Sequence, residues 1–539
     1  MKKKLLITLL LIIITFAISM IPYEVARMTS PPDHHFLGQV MNLDDHNMYF
    51  SFIRQAYDGK VLFNNRLTGN PNGGVFFNIQ FLTVGLLMRV FHLSEYGVYQ
   101  LWRLSGTVFL IGGFAFLSTI FIKSMRRWLL SMLLFCLGGG FGIISIAAFQ
   151  AGLISKELMN ILSYDVWGGV HPFQQIVSNP NFSLPHGLML IGFAFYLIAE
   201  KSKNRKFYLY SAVIFTLDGF IRPYDLFSVF AIFPSFVLIE SLLTGFDLKK
   251  SLGRLLPLFL SIPALAYSAW LFKINETFRW WSIQGHNIKS LPEPWWHLLA
   301  FGPAIILALP RLFHIKKQPL SSEERFLCLW FVVIFGLEYI GWVIPAVGFS
   351  PQIGVPLISP LILIGFMIKS RKFSFINMEQ KTHRNLLTGA ILASVILGNS
   401  GVTAFYSMRF ILRVNTNRFY ACENEVTAWN WINNNLQKEK TILALPSSSN
   451  RLAKFTSECT VAGHYSVSPD YKVNEKKVFG FFSPGTYPEE KKEIVKKLNV
   501  QYVFFGPEER NLWGTSISEP DWMKKIYDNG SVSIYNILN

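Results

Sequence analysis

The chain has 539 residues, 51% of them hydrophobic and only 15% charged, with a mean hydropathy of +0.33; soluble domains carry about 25% charged residues, so a soluble globular enzyme is excluded. The formal charge of +17 comes from 50 Lys and Arg against 33 Asp and Glu. Nearly half of the basic residues sit in short clusters beside apolar runs, a pattern of membrane topology and not of nucleic-acid binding. Four cysteines without a C-x-x-C pair exclude a disulfide scaffold and the zinc and redox motifs built on such pairs.

Three lysines open the chain, and the seventeen residues Leu5 to Ile21 are uncharged, about the length of a membrane crossing. No small-x-small cleavage site follows, so this segment reads as an uncleaved anchor. Further apolar runs cover 75–92, 98–122, 128–150, 183–199, 207–221, 226–245, 252–272, 295–311, 325–345, 353–370 and 385–408. The expectation is a polytopic α-helical membrane protein with about 11–13 transmembrane helices. Basic clusters recur between the runs, among them Lys123/Arg126/Arg127, Lys201/Lys203/Arg205/Lys206, Lys249/Lys250/Arg254 and Lys369/Arg371/Lys372. By the positive-inside rule these loops and the N-terminus face the cytoplasm. The alternating loops 23–74, 151–182, 218–225, 273–294 and 346–352 should then face outward, at the cytoplasmic membrane. An N-terminus inside and a C-terminus outside require an odd number of spans, and twelve runs are present. Either 75–92 is re-entrant or interfacial, or 128–150 folds back at Gly138-Gly139-Gly140.

From Arg409 the composition becomes that of a soluble domain, which predicts a boundary between a membrane domain, 1–408, and an extracytoplasmic α/β domain, 409–539. Its expected elements are an amphipathic helix over Glu423–Gln437 that buries Trp429 and Ile432, and a strand at Thr441–Leu445. A helix at Pro488–Leu498 then leads into a strand at Val500–Phe505, and a turn at Asn529-Gly530 precedes a strand at Val532–Ile537.

The first polar loop carries LDDHNMYFSFIRQAYDGKVLF at 43–63. On a helix Asp45 and Tyr49 share a face with Ile53 below them, so an acidic end projects from a packed base. A partly enclosed carboxylate can take a proton from a hydroxyl. The alternative is structural: Asp44 and Asp45 complete the helix N-terminus. In 151–182 and the segment after it, Trp167 offers a stacking face, and Gln174, Asn179, Asn181 and His186 offer uncharged hydrogen-bonding groups suited to sugar hydroxyls; the alternative is an ordinary Pro/Gly-punctuated loop. No His/Asp cluster shows zinc spacing, and His171 reads as structural. At 218–227 Asp218, Arg222 and Asp225 stand near a membrane surface, where ionisable groups are functional candidates. Arg222 can hold two phosphate oxygens in its fork, or it can merely pair with Asp218 or Asp225. Arg54, Arg279 and Lys289 are further candidate contacts, Trp295 and Trp296 read as interfacial belt residues, and Glu338 is expected to pair with a cation on a neighbouring helix.

An N-terminal span followed by a polar loop with an acidic pair, a nearby Tyr and Ala56-Tyr57-Asp58-Gly59 resembles the integral-membrane GT-C glycosyltransferases, especially the mannosyltransferase-like and aminoarabinose-transferase-like groups. The resemblance implies a multi-helix membrane body with a soluble C-terminal domain, and a sugar donor carried on a polyprenyl phosphate. It also implies a base from the first external loop, Asp45 before Asp44; Tyr49 and Arg222 are candidate substrate-binding residues on their own chemistry. The acceptor would be a lipid, glycan or protein of the cell envelope. No cofactor is specified, and a divalent cation is left open. Where those groups continue with His-Pro-Pro or Lys-Pro-Pro, this chain has NPNGG at 70–74. The competing classes are a transporter or lipid flippase, against which stand polar groups concentrated in loops and not at a midplane, and an interaction protein of the envelope.

Overall fold

The computed structural model describes residues 2–70, 72–285, 291–313, 319–343, 357–367, 388–389, 391–392, 394–395, 398–413, 418–514, 517 and 519–538. The chain divides into two compact units.

The first unit takes Met1–Glu24, Gln100–Ser268 and His286–Phe410, and the regular elements among its described residues are all helices. Among the described residues five helices are long and apolar enough to cross a membrane: Lys2–Met28, Glu95–Phe121, Pro180–Ser202, Pro223–Thr244 and Leu256–Ile274. Two bent pairs raise that number to seven if each pair is one span. The chain is a multi-pass membrane protein. Two of these helices begin with a proline, whose missing N–H costs nothing in the first turn. The apolar runs at 207–221, 325–345 and 353–370 form Lys206–Ile221, Ser322–Val343 and Ile358–Met367. Parts of 385–397, the loop 346–352 and the basic stretch 369–384 lie outside the described residues. Small residues let neighbouring backbones meet in this unit. A Cβ on Gly187 would stand 2.3 Å from the Phe109 carbonyl carbon, and one on Gly113 would stand 2.6 Å from the Gly187 oxygen, the close approach that membrane helices use in place of a hydrophobic drive.

The two runs singled out by the span count are both irregular. The run 128–150 breaks at Gly138–Gly140 into Met125–Leu137 and Gly142–Gln150, bent by 46°. The run 75–92 is only a twelve-residue helix, Ile79–Val90, and belongs to the second unit. A 108° bend also divides 295–311 into Pro294–Ala300 and a helix from Pro303.

The second unit gathers Val25–Tyr99, Ala269–Gly285 and Ile411–Asn539. A short antiparallel pair joins β1 (His34–Phe36) to β2 (Tyr420–Cys422). The main sheet has the order β4-β3-β5-β7-β6, from β3 (Thr441–Leu443), β4 (Cys459–Thr460), β5 (Tyr502–Phe505), β6 (Met523–Asp528) and β7 (Ser533–Ile537). β3 runs parallel to β4 and β5, and β7 is antiparallel to β5 and β6. This is the small α/β domain expected of the tail. Strand periodicity sorts its core: Ile442, Phe504 and Ile534 pack on one face with Trp429, and Leu443, Val503, Phe505 and Tyr535 pack on the other with Phe481. The predicted helix ends at Asn435. The predicted strand stops at Leu443, because Pro446 starts a helix, Pro446–Phe455, and the Leu445 N–H is taken by the Glu509 carboxylate at 2.8 Å. Asn529 and Gly530 do form the turn, with Gly530 at φ 87°. All four cysteines are free.

Residues 25–99 are built into this unit by polar contacts. Arg66 is 2% exposed; its Nη1 donates to the Thr456 carbonyl at 3.2 Å, and its own carbonyl accepts the Thr460 N–H at 2.8 Å. Lys454 Nζ donates to the Leu37 carbonyl at 2.9 Å.

Candidate active site

The acidic pair opens the helix Leu43–Tyr57. Its N-cap, Asn42, is left-handed and makes no side-chain cap, so Asp44 and Asp45 lie in the first turn, where negative charge complements the free N–H groups. From His46 onward the helix is almost wholly buried. Tyr49 stacks on Phe81 with 5.4 Å between ring centroids, and Ile53 is fully buried. The acidic end therefore projects from a packed base. His46 is fixed too: Nδ1 bonds the Asn42 carbonyl at 2.8 Å and Nε2 faces the Tyr99 hydroxyl at 3.1 Å. Burial lowers its pKa to about 4, so the ring is neutral at pH 7.

The carboxylate of Asp45 has a partner that reading along the chain missed. His464 Nε2 lies 3.1 Å from Asp45 Oδ1. The His464 ring is 1% exposed, and the Asp45 side chain keeps 41% of its surface open. On the other side of the ring the Ser466 N–H donates to Nδ1 at 3.2 Å. Nδ1 is thus the acceptor, Nε2 carries the hydrogen, and the imidazole donates to the carboxylate. The segment that carries His464 is anchored to the acidic helix. Asn47 Nδ2 donates to Asn450 Oδ1 at 2.8 Å, and Asn450 Nδ2 donates to the carbonyls of Gly463 at 3.0 Å and Asp44 at 3.2 Å. Tyr465, stacked on His464 and 60% exposed, stands over the same mouth. Burial, aided by the Asp45 and Asp44 charges, raises its phenol pKa, so it stays a hydrogen-bond donor. The signal for this pair was a lone His-Tyr-Ser in a soluble-looking tail, with nothing local to join it to residue 45. Among the described residues no group of three or more His, Cys, Asp or Glu side chains is arranged to hold a metal ion.

Other predicted residues fall elsewhere. Arg54, at the far end of the same helix, pairs with Asp58 at 3.5 Å and lies over the Tyr57 ring. Arg279 is exposed on Glu276–Gly285. In the first unit, His186, Arg222 and Asp225 come together. Arg222 Nη1 lies 3.1 Å from Asp225 Oδ1 and hydrogen-bonds His186 Nε2, whose Nδ1 meets Gln175 Oε1 at 2.7 Å. All three are at most 3% exposed, and the Arg222 guanidinium covers the Phe182 ring at 4.3 Å. The internal pair read as the alternative for Arg222 is therefore formed. Asp218 is fully buried with neither carboxylate oxygen hydrogen-bonded among the described residues. Asn181 sits in the first turn of Pro180–Ser202 with its buried Oδ1 likewise without a partner. His171 Nε2 bonds the Ala300 carbonyl at 2.9 Å, a structural role. Glu338 lies 3.8 Å from His297 Nδ1. The side chain of Trp167, and Lys289, lie outside the described residues.

No protein-family model matches the sequence, and no curated protein matches it. Solved structures do match in fold. The archaeal oligosaccharyltransferase AglB from Archaeoglobus fulgidus, in complex with an inhibitory peptide and a dolichol-phosphate, is 10% identical with a TM-score of 0.54 over 92% of this chain and 69% of that one. The Archaeoglobus fulgidus oligosaccharyltransferase tethered to an acceptor peptide gives 10% and 0.50 over 94% and 70%. ArnT from Cupriavidus metallidurans bound to undecaprenyl phosphate is 12% identical with a TM-score of 0.49 over 98% and 97%. The chain has the fold of the integral-membrane GT-C glycosyltransferases, which its acidic first loop resembles.

Proposed function

We propose that the protein transfers a sugar from a polyprenyl-phosphate donor to a cell-envelope acceptor at the outer face of the cytoplasmic membrane, with Asp45 as general base. The observation that carries this reading is the half-open Asp45 carboxylate, held through Oδ1 by His464 on a helix that is otherwise buried. The oligosaccharyltransferase fold, solved elsewhere with a dolichol-phosphate and with an acceptor peptide, supports it.

The bond to His464 fixes the carboxylate and leaves Oδ2 to take the proton of an acceptor hydroxyl. As that proton moves to Asp45, the acceptor oxygen forms its bond to the anomeric carbon. The bond from that carbon to the phosphate oxygen breaks on the opposite side, and the polyprenyl phosphate leaves with the electron pair. One displacement inverts the anomeric centre. Asp44 adds negative charge beside the base, and Tyr465 offers the acceptor a ring and a hydroxyl.

Asp45→Asn keeps the shape and one acceptor oxygen but cannot take a proton. Membranes carrying it, assayed against radiolabelled polyprenyl-phosphate sugars, should lose about 100- to 10,000-fold in transfer, the usual share of a general base, while insertion and melting temperature hold. Asp44→Asn should be milder. Full activity in both variants refutes the base assignment.

A further inference from the structure

Five helices of the first unit bring their ends together around a cavity of about 410 Å³. Its walls come from the end of Pro180–Ser202, the start of Lys206–Ile221, the end of Pro223–Thr244, the short helix Leu248–Arg254 and the start of Ser322–Val343. Asp45 and His464 belong to the other unit.

Two carboxylates of this lining are already neutralised. Glu200 receives both arms of the Arg254 fork, Nε to Oε1 at 2.7 Å and Nη2 to Oε2 at 2.6 Å, and the Tyr208 hydroxyl donates to the same Oε1 at 2.6 Å. Glu240 is paired with Arg325. The remaining cations are not spent: Lys201, Lys203, Arg205 and Lys250 line the cavity, are exposed, and make no ion pair among the described residues. Against them stands Glu323, partly buried and likewise without an ion-pair partner among the described residues. The uncommitted groups of the lining thus carry four positive charges and one negative.

The positive-inside rule accounts for basic residues in these loops. It does not account for their gathering from two segments, 201–205 and 250, around one concavity whose acids are mostly spent. Lys206 and Lys249 show the contrast, since they are exposed in the same two segments and are not part of the lining. Such a concavity suits an anion, and lysine and arginine hold phosphate oxygens by charge-assisted hydrogen bonds. The neighbouring surface is apolar. Leu242, Leu243, Phe246 and Leu248, between the lining residues Glu240 and Lys250, are each at least 60% exposed. A soluble phosphate would leave that surface unused, whereas a lipid uses both, and basic pockets between membrane helices are where acidic headgroups bind.

We propose that this cavity binds the phosphate headgroup of an anionic glycerophospholipid, through Lys201, Lys203, Arg205 and Lys250, with an acyl chain along Leu242, Leu243, Phe246 and Leu248. It is distinct from the Arg222 cluster, which follows the opposite end of Lys206–Ile221, about 20 Å along the helix axis. The inference does not depend on the transfer reaction or on Asp45 being its base.

The test uses the full chain, delipidated in dodecyl maltoside and titrated with phosphatidylglycerol under native mass spectrometry. Phosphatidylcholine serves as the zwitterionic control, and inorganic phosphate as the soluble competitor. A phosphatidylglycerol adduct should form at lower lipid concentration than any phosphatidylcholine adduct, and millimolar inorganic phosphate should not displace it. Lys203→Gln combined with Lys250→Gln removes two lining cations and should weaken that adduct about tenfold or more. Lys206→Gln combined with Lys249→Gln removes the same charge from the same segments outside the lining and should leave the adduct unchanged. All four lysines are exposed, so the lipid-free melting temperature should hold in both variants. Equal weakening by the two pairs would assign the effect to diffuse surface charge and overturns the proposal, as does an unweakened adduct in the lining variant or equal retention of phosphatidylcholine. Displacement by inorganic phosphate would assign the cations to a soluble anion and overturns the lipid headgroup.

Discussion

His464 reaches Asp45 from 419 positions further along the chain, and that separation explains what reading the sequence could and could not reach. The acidic pair was legible because two adjacent carboxylates after a span have no lipid-facing role, and Tyr49 was legible because four residues make one helical turn. The imidazole was not, since tertiary folding alone brings it to the carboxylate. If His464 works by holding Asp45, His464→Ala should lower the maximal transfer rate by about tenfold, less than Asp45→Asn does. The double variant should be no worse than Asp45→Asn, because the two act as one unit. Additive losses would give His464 a separate role. His46 makes a second prediction at this scale. The folded ring resists protonation down to about pH 4 while its unfolded value is 6.5, so between these limits the unfolded chain binds more protons. Its contribution is complete above pH 6.5 and is lost as the pH falls toward 4, on the order of 3 kcal/mol. Melting temperature in detergent should fall across that window, and His46→Asn should flatten the fall.

Among the elements, the long apolar helices were legible from their runs, and their interruptions less so. At Gly138–Gly140 the helix bends by 46° and does not fold back, whereas the sharper 108° bend falls at Gly302-Pro303, a Gly-Pro breaker that the apolar run 295–311 concealed. The helix Pro446–Phe455 carries three serines and an asparagine, which favour turns over helix interiors; it closes around Ser449 and Asn450, whose side chains bond the Ala444 and Gly463 carbonyls. The junction of Lys206–Ile221 and Pro223–Thr244 carries its own prediction. Removing Arg222 leaves Asp225 buried without its cation, a loss of about 3–5 kcal/mol for a buried pair. Arg222→Ala should lower the melting temperature sharply, and adding Asp225→Ala should recover most of it. Normal donor dependence in that double variant would exclude a phosphate-holding role for Arg222, while loss of donor affinity at restored stability would establish one.

For the whole molecule, composition was a good guide to class and a poor guide to partition. The change at Arg409 is real in the sequence, yet the compact unit that holds the tail also takes in Val25–Tyr99 and Ala269–Gly285, because Arg66, Asn47 and Leu37 find their hydrogen-bond partners there. The alternation of basic and polar loops makes a directional prediction: a reporter fused after Asn539 should be exposed on the non-cytoplasmic side. Protection of that reporter in intact cells would reverse the orientation and remove the outer-face reaction with it.

The discontinuity of that unit sets a schedule for biosynthesis. The ribosome delivers residues 25–99 first, and Ile411–Asn539 emerge only after roughly 300 more residues, an interval of about 15 to 60 seconds at ordinary elongation rates. Throughout that interval the helix Leu43–Tyr57 lacks the His464 and Asn450 partners that it meets in the finished fold. The part of the candidate site that is made first is therefore completed only when the tail that carries its partners has emerged.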